Sequence, residues 1–209
     1  MKLKFPLLDY NYKDLEPFID EETMLIHHLK HHKSYTENAK NIINKNNIKL
    51  SNSEIIDLVK NEKINNKLKN NIGGYINHNI FWKSLKKGTK IKHKTKKIIK
   101  DNFLSLDNFI NNFEKISINH FGSGWTWLVK DKKNKLFILS TINQNYPNIV
   151  KNNKSKNLTP IFNLDLWEHS YYLNYKNDKI KYIKSFWKII NWNFIEEQIS
   201  SINPFLGLY

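Results

Sequence analysis

The sequence predicts an α+β fold: a long-helix hairpin over residues 1–89, then a domain over residues 90–209 in which a small three-stranded antiparallel sheet is surrounded by helices. Three observations predict it. Up to Leu85 the apolar residues recur at helical spacing. Runs rich in aromatic and β-branched residues then fall at 125–129, 136–142 and 159–164. Between the two regions, Lys86-Lys87-Gly88-Thr89 combines cations with a glycine, which ends a helix and marks a boundary.

Asp9 to Pro17 reads as an extended lead-in and a short turn. Asp20-Glu21-Glu22-Thr23 is acidic helix-start chemistry, and a long helix follows through a histidine cluster to about Lys45. Asn46 and Asn47 break it. Ser51 to Glu54 resembles a capping box, and Ile55, Ile56 and Val59 continue the helical spacing. A further helix covers about Asn65 to Leu85. Lys90 to Lys100, lysine-rich with Ile at intervals, is an amphipathic helix with a solvated face. Leu106 to Ile118 is another, with Ser105 as its cap. Trp125 to Val129 is a strand, Asp131-Lys132-Lys133-Asn134-Lys135 a turn, and Leu136 to Ile142 the returning strand of a hairpin. Asn143 to Asn157 is polar loop. Thr159 to Leu164 is a third strand that delivers Asp165, and helices return from His169 onward. The apolar residues of the tail, 200–209, suggest docking rather than disorder.

The chain of 209 residues is 40% hydrophobic and 25% charged, the composition of a globular protein. It contains no cysteine, which excludes disulfides, zinc–thiolate sites, iron–sulfur clusters and cysteine nucleophiles, and which fits a reducing cytoplasm. No apolar run follows the first lysines, so no signal peptide is expected, and none approaches membrane-span length. The formal net charge of +15 invites a nucleic-acid reading. Yet all 34 basic residues are Lys, and Arg is the usual bidentate reader of phosphate and guanine. Lys, Asn and Ile share A/T-rich codons, so much of the charge reads as compositional drift. Nucleic acid is not expected as a partner.

The chemistry gathers at Asp165-Leu166-Trp167-Glu168-His169. On a helical turn the carboxylate and the imidazole would share a face, within reach of one ion. That donor pair suits Mn, Fe or Zn better than Ca or Mg. The plain alternative is a capping Asp and an ordinary surface His. Four more histidines lie in His27-His28-Leu29-Lys30-His31-His32. His27 and His31 share one helix face and His28 and His32 another, and the two pairs cannot all point inward. The plain alternative here is a basic face with one buried His. Tyr35 lies one turn beyond His31. In Gly73-Gly74-Tyr75-Ile76-Asn77-His78, two helical glycines cost roughly 1 kcal/mol each relative to Ala, which implies close packing against the backbone. Phe121-Gly122-Ser123-Gly124-Trp125 supplies apolar wall. His93 and His120 are expected at the surface.

Taken in order, His27…Tyr35, Gly73-Gly74…Asn77-His78…Phe81-Trp82, Phe121-Gly122-Ser123-Gly124-Trp125, Asn143-Gln144 and Asp165-Leu-Trp-Glu-His169 closely resemble the iron/manganese superoxide dismutases. The resemblance runs from about Pro6 to about Trp192. It implies four metal ligands, His27, His78, Asp165 and His169, with solvent as a fifth, around one manganese ion per subunit; iron is the alternative. It implies disproportionation of superoxide to dioxygen and hydrogen peroxide by M(III)/M(II) cycling, as antioxidant defence. Tyr35 and His31 match gateway residues of the substrate channel. Gln144 matches the residue that tunes the redox potential, and its position after the hairpin, with Gly74 facing it from the helix, is the manganese pattern. Trp82, Trp125 and Trp167 match the aromatic shell, and Lys30 the lysine at the funnel mouth. Glu168 and Tyr172 match residues that cross a homodimer interface, Glu168 bonding the partner's copy of His169.

One departure stands out. Where the family has an Arg-Pro-Asp run, this chain reads Lys179-Ile180-Lys181, and Lys keeps the charge without the planar fork. Two rival readings are a basic polyanion-binding protein on the same fold, and a metal-dependent hydrolase. The intact ligand set opposes the first. The second lacks an obvious general base beside an open position.

Overall fold

The computed structural model describes residues 3–47, 52–60, 65–147, 149–150, 155–156 and 158–201. After a 3-10 turn at Tyr12–Leu15, the first long helix runs in three consecutive pieces: α1 (Glu21–Ile26), a π-helical segment (His27–His32) and α2 (Lys33–Lys45). Asp20 caps it, its carboxylate accepting from the Thr23 N–H at 2.8 Å and the Thr23 hydroxyl at 2.6 Å. Glu21 and Glu22 add negative charge at the positive end of the helix dipole. The helix stops at Asn46 and Asn47, and Asn47 takes a φ of +50°, which an Asn tolerates. α3 (Asn52–Lys60) follows; the capping box expected at Ser51 lies outside the described residues. The Asn65 side chain accepts from the Lys67 N–H at 2.8 Å and starts α4 (Asn66–Ser84), which packs back on α2 and completes the hairpin.

α4 is the helix around which the rest assembles. Every residue from Asn71 to Trp82 is buried. A helix hidden on all sides needs a partner on each, and α4 packs against α2, α3, α9 (Trp192–Ser200) and β5 (Thr159–Asp165). The remaining elements of the second half are α5 (His93–Phe103), α6 (Leu106–Asn119), β1 (Gly124–Lys130), β2 (Leu136–Ile142), β3 (Ile149–Val150), β4 (Ser155–Lys156), a 3-10 turn at Glu168–Ser170, α7 (Tyr172–Tyr175) and α8 (Lys179–Phe186). The main sheet is antiparallel with strand order β2-β1-β5. β1 is central and buried along its whole length, and its register sets Trp125 opposite Asp165. The α+β division into a helical hairpin and a helix-flanked three-stranded sheet is as the sequence predicts.

Two local expectations need correction. The helix expected from Lys90 starts at His93. Residues 85–91 form a non-helical connection with a turn at Lys87-Gly88, tied to the chain's own C-terminal part: Leu85 bridges Ile190, the Lys86 N–H donates to Ile189, and the Thr89 hydroxyl donates to the Ile190 carbonyl at 2.7 Å while accepting from the Trp192 N–H at 3.0 Å. The two bonds at Thr89 hold the chain immediately before the expected start. The stretch 143–157 is also not entirely loop, because β3 and β4 pair within it as a two-stranded ribbon.

Lys130, at the end of β1, is only 4% exposed. Its ammonium donates to the carbonyls of Gln198 at 3.0 Å, Ile199 at 2.9 Å and Ser201 at 2.6 Å. Those carbonyls end α9 and have no partner further along a helix, and a cation suits the negative end of the dipole. One side chain thus fastens the last helix to the sheet. Lys130→Met should keep the packing of the stem and strand the carbonyls. We expect it to destabilise the protein by about 2 kcal/mol, the scale of a lost charged hydrogen bond together with its desolvated acceptor, read as a lower urea midpoint with an unchanged slope.

Candidate metal centre

Four elements each bring one donor to a single point. His27 opens the π segment, His78 sits mid-α4, Asp165 ends β5, and His169 lies in the 3-10 turn. One ligand atom from each falls within 4.8 Å of all the others. Asp165 Oδ2 is 3.1 Å from His27 Nε2, 3.5 Å from His169 Nε2 and 3.8 Å from His78 Nε2. All four atoms are buried and have no hydrogen-bond partner among the described residues. Burial above all drives His27 and His78 well below the usual imidazole range, and the neighbouring imidazoles push the same way. The short contacts of His27 and His78 with Asp165 are therefore not ion pairs. They are lone pairs gathered around a carboxylate, which is costly unless a cation joins them. Three imidazoles and one carboxylate fit a borderline divalent or trivalent transition metal.

The remaining atoms of these side chains are fixed. His78 Nδ1 lies 2.6 Å from the Gly74 carbonyl, so Nδ1 carries the proton and Nε2 presents its lone pair. Asp165 Oδ1 accepts from the Trp167 N–H at 2.8 Å. The segment after Asp165 is not the helical turn the DxxxH spacing suggests. Trp167 is extended, and the 3-10 turn begins only at Glu168. The Ser170 hydroxyl at the Trp167 carbonyl (2.6 Å) and the Tyr182 hydroxyl at the Asp165 carbonyl (2.9 Å) fold this corner tightly enough for His169 still to meet Asp165.

The histidine cluster also departs from expectation. His27, His28 and His32 are all buried and His31 is half-buried, in place of the single buried His of the plain alternative. The π winding closes its hydrogen bonds over five residues and so narrows the angle between His27 and His32. His28 is held by the Tyr12 hydroxyl at 2.9 Å and the Pro6 carbonyl at 3.1 Å. Burial lowers the His32 pKa to about 3, so this imidazole is neutral. His31 stacks on His169 with ring centroids 4.1 Å apart.

Gln144 and Tyr35 meet, but Gly74 does not face Gln144, as the sequence suggests it would. The Gln144 amide donates to the Tyr35 hydroxyl at 3.2 Å, and burial raises the Tyr35 pKa. Gln144 Oε1 accepts from Trp125 Nε1 and from Asn77 Nδ2, each at 3.1 Å, and that pair of donors defines which end of the amide faces Tyr35. Asn77 is the participant the sequence reading overlooked. It is fully buried, and its position beside His78 in mid-helix was the available signal. The two glycines are there for room. A Cβ on Gly73 would come within 2.2 Å of the Gln144 carbonyl oxygen, and one on Gly74 within 2.5 Å of the Tyr35 ring. Gly74 therefore faces Tyr35, and Gly73 faces Gln144.

Trp82 and Trp125 are buried, and Trp167 is partly so. Trp125 stands edge-on to His78 at 5.1 Å, Trp82 edge-on to His27 at 4.7 Å, and Trp167 stacks on His169 at 5.7 Å. Lys30, Glu168 and Tyr172 are exposed, as is His93. His120 is not at the surface as expected. It is 9% exposed, in space kept open by Gly124, where a Cβ would lie 2.3 Å from His120 Nε2. Lys179, in place of the Arg of the resembled pattern, donates to the His120 carbonyl at 3.0 Å and so braces the start of the Phe121–Trp125 block. No helix among the described residues is long and apolar enough to cross a membrane.

Comparison with known proteins agrees with this geometry. Residues 2–86 match the family described as iron/manganese superoxide dismutases, alpha-hairpin domain, and residues 91–198 match the C-terminal domain of the same family. A protein named superoxide dismutase [Mn] from Buchnera aphidicola subsp. Baizongia pistaciae is 45% identical over 97% of this chain and 99% of its own length. One of the same name from Escherichia coli K12 is 42% identical over 92% of this chain and 95% of its own. Matched through both of its halves and nearly end to end, the chain belongs to the iron/manganese superoxide dismutases.

Proposed function

We propose that the four-donor site carries out superoxide disproportionation on one manganese ion held by His27, His78, Asp165 and His169. The observation that carries the reading is the convergence of four buried donor atoms, none with a hydrogen-bond partner among the described residues. When bound, the ion supplies the redox step: one superoxide gives up its electron and leaves as dioxygen, and a second accepts that electron with two protons and leaves as hydrogen peroxide. The chain's own residues bind, orient and handle protons. His78 is kept in the ligating tautomer by the Gly74 carbonyl. Tyr35 and His31 form the gateway, where the raised Tyr35 pKa keeps a proton on its hydroxyl. Exposed Lys30 attracts a small anion to the entrance.

The choice of manganese over iron rests on the names of the relatives and on Gln144. The Gln144 amide, which donates to the Tyr35 hydroxyl, would favour the negative charge that accompanies the oxidised state, a restraint that manganese(III), a strong oxidant, would need. The division at 89/90 belongs to the same reading, supported by family matches that end at 86 and resume at 91. So does a homodimer through Glu168 and Tyr172. Its support is the exposure of apolar side chains, Phe121 and Ile142 flanking the β1–β2 pair and Tyr172 at the start of α7, which are 97%, 59% and 47% exposed. Residence in a reducing cytoplasm is supported by the absence of cysteine.

Three substitutions test this reading. His78→Ala removes one donor of four, and elemental analysis should find manganese and turnover lost together; a variant with full occupancy and normal turnover would remove His78 from the ligand set. Gln144→Ala should keep its manganese, lose the visible absorption of the trivalent ion at rest, and turn over at least about tenfold more slowly. Retained colour and rate would assign the tuning elsewhere. Glu168→Ala should shift dissociation of the dimer to higher protein concentration in sedimentation, because the proposed bond to the partner is charge-assisted. An unchanged dimer with unchanged activity would count against the cross-subunit role.

A further inference from the structure

His32 is fully buried, and the chemistry above gives it no task. Its ring lies nearly parallel to that of His78, with centroids 5.2 Å apart and 8° between planes. Its Nδ1 is 3.0 Å from Trp82 Nε1. An indole N–H can only donate, so Nδ1 is the acceptor and the ring proton of the neutral imidazole sits on Nε2. Trp82 in turn stands edge-on to His27. One imidazole therefore touches the face of one proposed ligand and fixes the indole packed against another.

The π segment makes this possible. In an α-helix of 3.6 residues per turn, His27 and His32 would stand about 140° apart around the axis. Wound through a π turn, both face α4, and their centroids lie 4.9 and 5.2 Å from that of His78. The backbone of His32 is tied as well, with its carbonyl accepting from the Thr36 hydroxyl at 2.9 Å.

We infer that His32 is a positioning residue of the metal centre: by accepting from Trp82 and stacking on His78, it fixes the planes of both rings before an ion binds. A donor already held in its bound orientation loses less freedom on coordination. The inference rests on reading His78 as a ligand.

The test uses the full chain loaded with manganese. H32F keeps a ring in the stack but leaves the buried indole N–H without its acceptor. H32Q removes the ring but keeps an acceptor. H32F should release manganese to a chelator about tenfold faster than the unmodified protein, shift the visible band of the bound ion, and move the indole N–H resonance of Trp82. H32Q should bring resonance and release rate back toward the unmodified values. An unshifted band with unchanged release in H32F, or an H32Q protein more impaired than H32F with the Trp82 bond intact, would overturn the inference and leave His32 as filler. If H32F does not fold, W82F removes the donor of the same bond, and unchanged release from it overturns the inference equally. H78A separates the two readings. Manganese retained in H78A sinks the ligand assignment itself, whereas manganese lost in H78A with unaltered H32F sinks the positioning role alone.

Discussion

Both halves of the chain close on the carboxylate of Asp165. Its Oδ2 faces three imidazoles, two buried ones from the helical hairpin and a partly exposed one from the turn just beyond β5. A buried carboxylate among neutral rings is unfavourable unless a positive charge completes the group. The surrounding architecture then has to hold four donors in place in spite of that cost. β5 anchors Asp165 through its pairing with β1, and α4 anchors His78 by burial on every side. Asn163 donates to the Asn77 carbonyl at 2.9 Å and so joins strand to helix one residue from His78.

Much of this was legible in the sequence because it depends on local chemistry. The acidic cap at Asp20, the Ser105 cap of α6, the hairpin and the strand leading to Asp165 each carry a short-range signal, and each forms. The ligand residues were legible through the order of blocks rather than through any one spacing. What escaped depends on distant partners. The non-helical connection at 85–91 is tied down by residues near 190. The burial of His120 follows from the missing Cβ of Gly124, which becomes visible only once the strand folds back over it. The corner between Asp165 and His169 is set by the Tyr182 hydroxyl, far along the chain.

The histidine cluster is the instructive case. Helical periodicity at 3.6 residues per turn spreads the two pairs over an arc of about 140°, wider than the face His27 and His31 share. A single turn of wider winding changes that spread without any unusual residue in the sequence. π turns of this kind concentrate at functional sites. Here the turn brings His27 and His32 to one side and leaves Lys30 and Leu29 outside.

The donors come from three widely separated stretches of a chain that has no cysteine. An ion shared by them would close the same long loops that disulfides close in secreted proteins, and closing long loops removes the most disorder from the unfolded chain. In the proposed holoprotein the metal is thus a reversible cross-link as well as a reagent. The packing of α4 against β5 holds the donors of the hairpin against those of the sheet, and so would bear on how long an ion stays.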